Sequence, residues 1–188
     1  MLVTFGDSGK GGVAVMRRLG IIVALCTALG MVGGMATGTP ALAGRGPKWE
    51  PLPAHPFTMP AEFCGFKVRV AYPVDRGYAK VLKSSDGTVT TLATGAFKSS
   101  YTNQRTGKSV TVNVSGQVKE TTRPDGSFTD ALKGHVQVFF PPDLAQRFGL
   151  PRIGVTAGPI TASSAADGSL TSFSFHGHVL VDVCAALR

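Results

Sequence analysis

Residues 175–184 read Phe-His-Gly-His-Val-Leu-Val-Asp-Val-Cys, so His176, His178, Asp182 and Cys184 fall within nine positions. Three chemistries fit those residue types: a metal site, a Cys/His nucleophile, or a closing strand with ordinary polar residues. The alternation sorts them. Val179, Val181 and Val183 continue Phe173 and Phe175 on one side, while His176, His178, Leu180, Asp182 and Cys184 share the other. Same-face side chains on a strand stand about 6.5–7 Å apart, so His176 and His178 could both reach one ion. A third ligand must then come from elsewhere, at about 2.0–2.3 Å from the metal. His135, on the matching polar parity of another strand, completes the candidate set, with His55 as a more remote source. Without such a neighbour the cluster is the wet face of a strand, and no resident metal or other cofactor is expected.

Nucleophilic catalysis is less well supported. A Cys184–His178 pair would need a free thiolate beside a base, which conflicts with the disulfide expected below. No G-x-S-x-G elbow is present. Asp75, Asp130 and Asp182 could supply paired carboxylates, yet the sequence singles out no pair among them. No catalytic residue is assigned.

The elements that must position these groups begin after an address. Arg17 and Arg18 precede an apolar run over 19–32, followed by small residues ending Ala41-Leu42-Ala43. This is the three-part pattern of a secretory signal peptide over 16–43, with cleavage near Ala43–Gly44. At 14 residues the run is shorter than the roughly 20 needed to span a bilayer, so no stable membrane span is expected after cleavage. Residues 1–15 fit no n-region, and initiation at Met16 is expected, leaving them as a spurious extension. "GDSGKGG" within them lacks the phosphate-loop spacing.

The chain has 188 residues and a formal net charge of +8. Taking away residues 1–43 leaves 16 basic against 10 acidic residues, or +6. Such a balance favours anionic cell-wall polymers or lipid head groups as electrostatic partners. The cations are scattered singly, without stacking aromatics between them, so nucleic acid is not an expected partner. Of three cysteines, Cys26 falls in the apolar run. Cys64 and Cys184 remain, and in an exported protein a pair at opposite ends of a domain is expected to be a disulfide.

Residues 44–62 form a Pro-rich leader arm unable to make helix or central strand. From Phe66 onward the period is two, as at Val68–Val70–Tyr72, Val110–Val112–Val114 and Val136–Val138–Phe140. Turn signals carry glycines at 87, 107, 126 and 168, with all tips expected at one end of the sheet. One short helix is predicted near 142–148, where Pro142 and Asp143 suit a first turn and Gly149 a stop. The fold class is all-β: an antiparallel meander over 63–188, closing into a small barrel of about eight to ten strands, with a β-sandwich as the alternative. Phe66, Tyr72, Phe97, Tyr101, Phe140, Phe173 and Phe175 share the inward parity. They either fill the core or line an apolar ligand pocket. "NVS" at 113–115 matches a glycosylation acceptor but sits inside a predicted strand. "GHVQVFF" (134–140) and "GHVLVDV" (177–183) echo one another, as two strands that start alike.

The stretches "FCGFKVRV", "TGKSVTVNVSG", "PDGSFT", "GHVQVFFPPD" and "GHVLVDVC" together resemble a group of uncharacterised secreted proteins of actinobacteria, the high-GC Gram-positive bacteria. The likeness covers Phe63 to Ala186. It implies secretion and a β-rich domain with a cysteine near each end, and brings no activity with it. The strand layout alone is similar to lipocalin-like and allene-oxide-cyclase-like barrels, and layout does not carry function. The expectation is therefore a secreted, non-enzymatic binder of an apolar small molecule or envelope component. A small enzyme of isomerase or cyclase type with an apolar cavity, and an adhesive surface protein, are the alternatives.

Overall fold

A computed structural model of the chain describes residues 47–188. The extension expected over 1–15 and the signal peptide expected over 16–43 lie outside the described residues. In chain order the elements are β1 (Glu50–Pro51), β2 (Phe57–Met59), β3 (Val68–Lys83), β4 (Val89–Asn103), β5 (Ser109–Asn113), β6 (Gly116–Thr122) and β7 (Phe128–Phe139). There follow α1 (Pro142–Phe148), β8 (Ile153–Ala157), β9 (Ile160–Ser164), β10 (Leu170–Phe175), β11 (His178–Asp182) and α2 (Val183–Ala186). Strand accounts for 57% of these residues and helix for 8%, which makes the fold all-β. Every strand pairing is antiparallel.

Three hairpins build the larger half of the sheet: β3–β4, β6–β7 and β9–β10. Each turns on Asp-Gly, at Asp86-Gly87, Asp125-Gly126 and Asp167-Gly168. In each, the Asp Oδ1 accepts the backbone N–H two residues on, at 2.9, 2.9 and 2.8 Å, and the glycine takes φ of 83–85°. That Asx turn fixes the register of the flanking strands. A glycine also stands nine residues before each tip Asp and eight or nine after each tip Gly: Gly77 and Gly95, Gly116 and Gly134, Gly158 and Gly177. The chain thus repeats one hairpin unit three times. The three tips lie side by side, with Gly87 against Pro124 and Gly126 against Ala166. The fourth expected tip, at Gly107, joins β4 to β5 at the opposite end of the sheet.

The six outer glycines form a belt across the sheet. Gly77 pairs with Gly95 and Gly116 with Gly134, and the Gly158 N–H donates to the Gly134 carbonyl at 3.2 Å. A methyl group on Gly95 would lie 2.8 Å from the Gly77 Cα, one on Gly134 3.0 Å from the Gly116 Cα, and one on Gly158 2.8 Å from the Gly177 Cα. Backbones can approach this closely only without Cβ atoms. Beyond the belt the ladder divides. β2, β3, β4 and β5 continue as a lower layer, while β7, β8 and β11 lift away as a second one.

The lifted part of β7 is buried on both faces. Phe139 packs with Val68, Val70, Tyr101, Ile153, Val155, Val183 and Leu187 in a core between the two layers. Val136, Val138 and Phe140 face a second core with Leu132, Ile160 and Ala145 of α1, against which Phe173 and Phe175 pack. Burial of each large apolar side chain favours the fold by about 1.5–3 kcal/mol. This two-sided burial explains why the expected barrel does not form. A strand of a small barrel has one packed face and one wet one, whereas β7 needs a layer on each side. The sheet is accordingly not closed, because among the described residues the ladders join neither β5 to β7 nor β11 to β3. The outcome is sandwich-like, with eleven strands because the belt breaks two chain passes into β8 and β9, and into β10 and β11.

The helix predicted near 142–148 is α1. Pro142 and Asp143 open it, and Gly149 closes it at φ 63°. The leader lies extended along β3, contributing β1 and β2 as short edge pairings. The single closing strand expected over Phe173–Val183 is instead broken at Gly177, whose backbone abuts Ala157 and Gly158. Phe173 and Phe175 therefore join the second core, while Val181 and Val183 belong to the first. Val179 and Leu180 are left exposed beside an irregularity in the β11 register.

Cys64 and Cys184 are joined, their Cα atoms 5.1 Å apart and 120 residues apart in sequence. The bond ties the turn before β3 to α2, on the side where the two layers share no ladder. On the chain-entropy model it stabilises the fold by about 3–5 kcal/mol. Urea denaturation of C64S/C184S should show a loss of that order, and an unchanged midpoint would refute the structural role. Gly134→Ala should cost more than Gly107→Ala, since both need positive φ and only Gly134 faces a neighbouring backbone. Equal losses in the two variants would mean that the belt tolerates side chains.

Candidate binding cleft

The cleft lies where β7 leaves β6. The ladder ends at Gly116–Gly134, and the His135 N–H donates to the Ser115 carbonyl at 3.1 Å as the last contact between the parting chains. On the other flank Val114 and Ser115 close onto β4. The Val114 N–H donates to the Phe97 carbonyl at 3.0 Å, and the Phe97 N–H donates to Ser115 Oγ at the same distance. Asn113 stabilises this kink by accepting the Ser115 N–H at 2.9 Å. The "NVS" stretch therefore has a local structural use.

The walls are mainly apolar: Leu52 and Ala54 from the leader, Phe97 and Val114, and Val118, Leu132 and Val136. The cavity is about 60 Å³, room for a few water-sized groups. That is well below the roughly 300–1,000 Å³ of a pocket enclosing a drug-sized molecule. Gln137 and Tyr72 supply the polar boundary. Gln137 Oε1 accepts from Ser99 Oγ at 2.9 Å and from the Tyr101 hydroxyl at 3.0 Å, and its Nε2 donates to the Tyr72 hydroxyl at 3.0 Å. Burial of Tyr101 pushes its phenol well above the ordinary range, so it stays a neutral donor. Chemically, this cleft can exclude water from a small apolar group and present an amide and a phenol at one side.

Set against protein-family models, curated proteins and solved structures, the chain matches none.

The candidate residues are distributed among three places. Tyr72 and Phe97 line the cleft, Phe66 and Tyr101 are buried in or beside the first core, and Phe140, Phe173 and Phe175 build the second. They do not surround one common interior. His135 and His178 come to lie in one cross-strand row, each paired with Ala157 of β8 from opposite sides. This explains the sequence echo: the two Gly-His-Val strands flank β8 in the same starting register. Two strand spacings separate the histidines by about 9–10 Å at Cα. His176 is placed before the Gly177 break, outside that row. Among the described residues, no group of three or more His, Cys, Asp or Glu is arranged to hold a metal ion. His135 also lines the cleft. Asp182 caps α2, accepting the Ala185 N–H at 3.0 Å, and Cys184 is held in the disulfide.

The concave face beside the cleft carries a carboxylate pair. Ala93, Val118 and Leu132 line the cleft, and two residues further along the same strands stand Thr91, Glu120 and Asp130. Asp130 is buried, and Glu120 is its direct cross-strand partner. Desolvation, followed by repulsion from Glu120, raises the Asp130 pKa from 3.8 to about 7. The folded state therefore keeps a proton that the unfolded chain has lost. Stability should fall as pH rises from about 4 to about 7 and level off above that, by about 2–4 kcal/mol in all. Asp130→Asn should abolish that slope in urea denaturation between pH 4 and 8, and Glu120→Gln should shift its midpoint downward. A slope that survives in Asp130→Asn would assign it to other groups.

Proposed function

We propose that the protein is exported and acts as a non-enzymatic binding domain, with the cleft taking the apolar end of a small molecule or of an envelope component. Export is supported by Arg17-Arg18, the short apolar run and the Ala41-Leu42-Ala43 motif, and by a disulfide suited to an oxidising compartment. Among the described residues, no helix is long and apolar enough to cross a membrane. The resemblance to secreted actinobacterial proteins points the same way.

The observation that carries the binding reading is the character of the cleft. Its walls are apolar, and the amide at its boundary is already engaged by three hydroxyls. Enzyme chemistry there would rest on His135 and on a Tyr72 hydroxyl held by Gln137. A binder needs only the water-excluding walls and an orienting polar group.

Native mass spectrometry of protein from the medium of its own host tests both parts. Export predicts an N-terminus at Gly44, and binding predicts an added apolar mass. In solution, an anilinonaphthalene sulfonate dye should bind the wild type, and Val118→Phe should weaken it about tenfold by filling the cleft. The melting temperature of that variant should change little, since Val118 is only half-buried. A dye affinity indifferent to Val118→Phe would refute the cleft as the binding site.

A further inference from the structure

The convex face of the three hairpins, opposite the carboxylate pair, has a composition of its own. Cross-strand register aligns Lys80 and Lys119 in one row through Leu92. The next row carries Tyr78, Thr94, Gln117 and Lys133. A third aligns five hydroxyls, Thr90, Thr121, Thr129, Ser163 and Ser172, across five strands. Thr129 and Ser163 hydrogen-bond at 3.0 Å, and Arg123 donates to Thr129 Oγ1 at 3.2 Å. At the β3 edge, Lys80 Nζ lies 4.9 Å from the centre of the Trp49 ring, and Trp49 and Tyr78 are 46% and 47% exposed.

None of the three rows holds a carboxylate. Glu120 and Asp130 belong to the opposite face, and Asp86, Asp125 and Asp167 turn back onto their own hairpin tips. Lys80 and Lys119 are two strand spacings apart, about 9–10 Å, and Lys133 lies about 8 Å from Lys119. These gaps are no greater than the Debye length of about 10 Å at 0.1 M salt, so the three fields add. The face thus combines a connected positive strip, a regular rank of hydroxyls and two exposed rings.

We propose that this face binds an anionic polysaccharide, as a site separate from the cleft. Lys80, Lys119 and Lys133 take the charges of the polymer, which satisfies the charge complementarity of an acid-free surface. The hydroxyl row exchanges hydrogen bonds with sugar hydroxyls, and Trp49 and Tyr78 offer flat apolar surfaces to the rings. Four strands carry the three rows continuously, which matches an extended chain better than a compact protein partner.

The test is titration of the protein with polygalacturonate, with neutral dextran, a DNA duplex and phosphatidylglycerol vesicles as comparison arms. The wild type should bind polygalacturonate in preference to all three, more weakly as salt rises. K80S/K119S/K133S should lose about tenfold or more in affinity. K67S/R69S/K98S, which removes the same charge beyond the belt, should stay within about twofold of wild type. W49A/Y78S should lose about fivefold with no change in charge. Equal losses in the two triple variants would reduce the effect to net charge and overturn the proposal. So would DNA or vesicles binding as tightly as polygalacturonate, or an affinity untouched by W49A/Y78S. Melting temperatures near wild type confirm that each variant is folded.

Discussion

Close backbone contact between paired glycines is the constraint from which the architecture follows. Where Gly77 meets Gly95, Gly116 meets Gly134 and Gly158 meets Gly177, a Cβ on any of the last five would press on neighbouring main chain, and one on Gly77 on the Phe97 ring and the Leu52 carbonyl. Their absence lets three adjacent hairpins bend along one line. Past that line the strands can divide into two layers, and β7 can bury Phe139 in one core and Phe140 in another. The cleft is the seam left by that division. Its walls are the residues just on either side of the belt, so the same contact that shapes the fold also creates its candidate binding site.

Three polar or covalent links hold the divided layers together. Gln137 reaches from β7 to Ser99, Tyr101 and Tyr72 of the lower layer. A one-residue slip of β7 would turn Gln137 out and Val136 or Val138 towards the three hydroxyls, leaving buried donors without acceptors. The apolar contacts alone would tolerate such a slip better, because Val136 and Val138 on one face and Phe139 on the other put apolar side chains on both sides of β7. The amide therefore contributes specificity beyond its modest net stabilisation. On the far side, the Cys64–Cys184 bond and the hydrogen bond from Asn103 Nδ2 to the Leu187 carbonyl (3.1 Å) hold α2 against the lower layer. The seam is thereby anchored at both margins.

Much of this was legible locally. Alternation identified the strands, Pro142, Asp143 and Gly149 identified α1, and the two cysteines identified their partner. Closure was not legible, because alternation describes one strand at a time and cannot show that the consecutive residues Val138 and Phe139 are buried in two different cores. The same limit applies to the aromatic set: Phe66, Tyr101 and Phe173 obey one parity yet occupy separate cores. The spacing of the hairpin unit, a Gly nine residues before the tip Asp and another eight or nine after the tip Gly, is present in the sequence. The flanking glycines lie within strand patterns, where a single Gly carries no turn signal, so their pairing shows only once the strands are in register. The cleft had no signal of its own, since it depends on where β6 and β7 part.

The three hairpin units also differ in what equivalent positions of one repeat carry. Equivalent outward positions are Lys80, Lys119 and Thr161, and equivalent inward ones run Thr91, Asp130 and Phe173 along one cross-strand row. The third unit thus exchanges a cation for a hydroxyl on its convex side and a polar residue for an aromatic on its concave side. That aromatic is where α1 docks, through Phe148 at 4.3 Å from the Phe173 ring centre, with Phe140 ahead of the helix at 5.6 Å. With one unit committed to holding the helix and the second core, the first two are left with polar concave positions and a cationic convex strip. Opposite charges then fall on opposite faces of a single sheet, Asp130 and Glu120 within and Lys80, Lys119 and Lys133 without. A sheet is only one residue thick, so Glu120, next to Lys119 in the chain, offsets part of the strip's field, while Asp130 does so only above about pH 7, where it loses its proton.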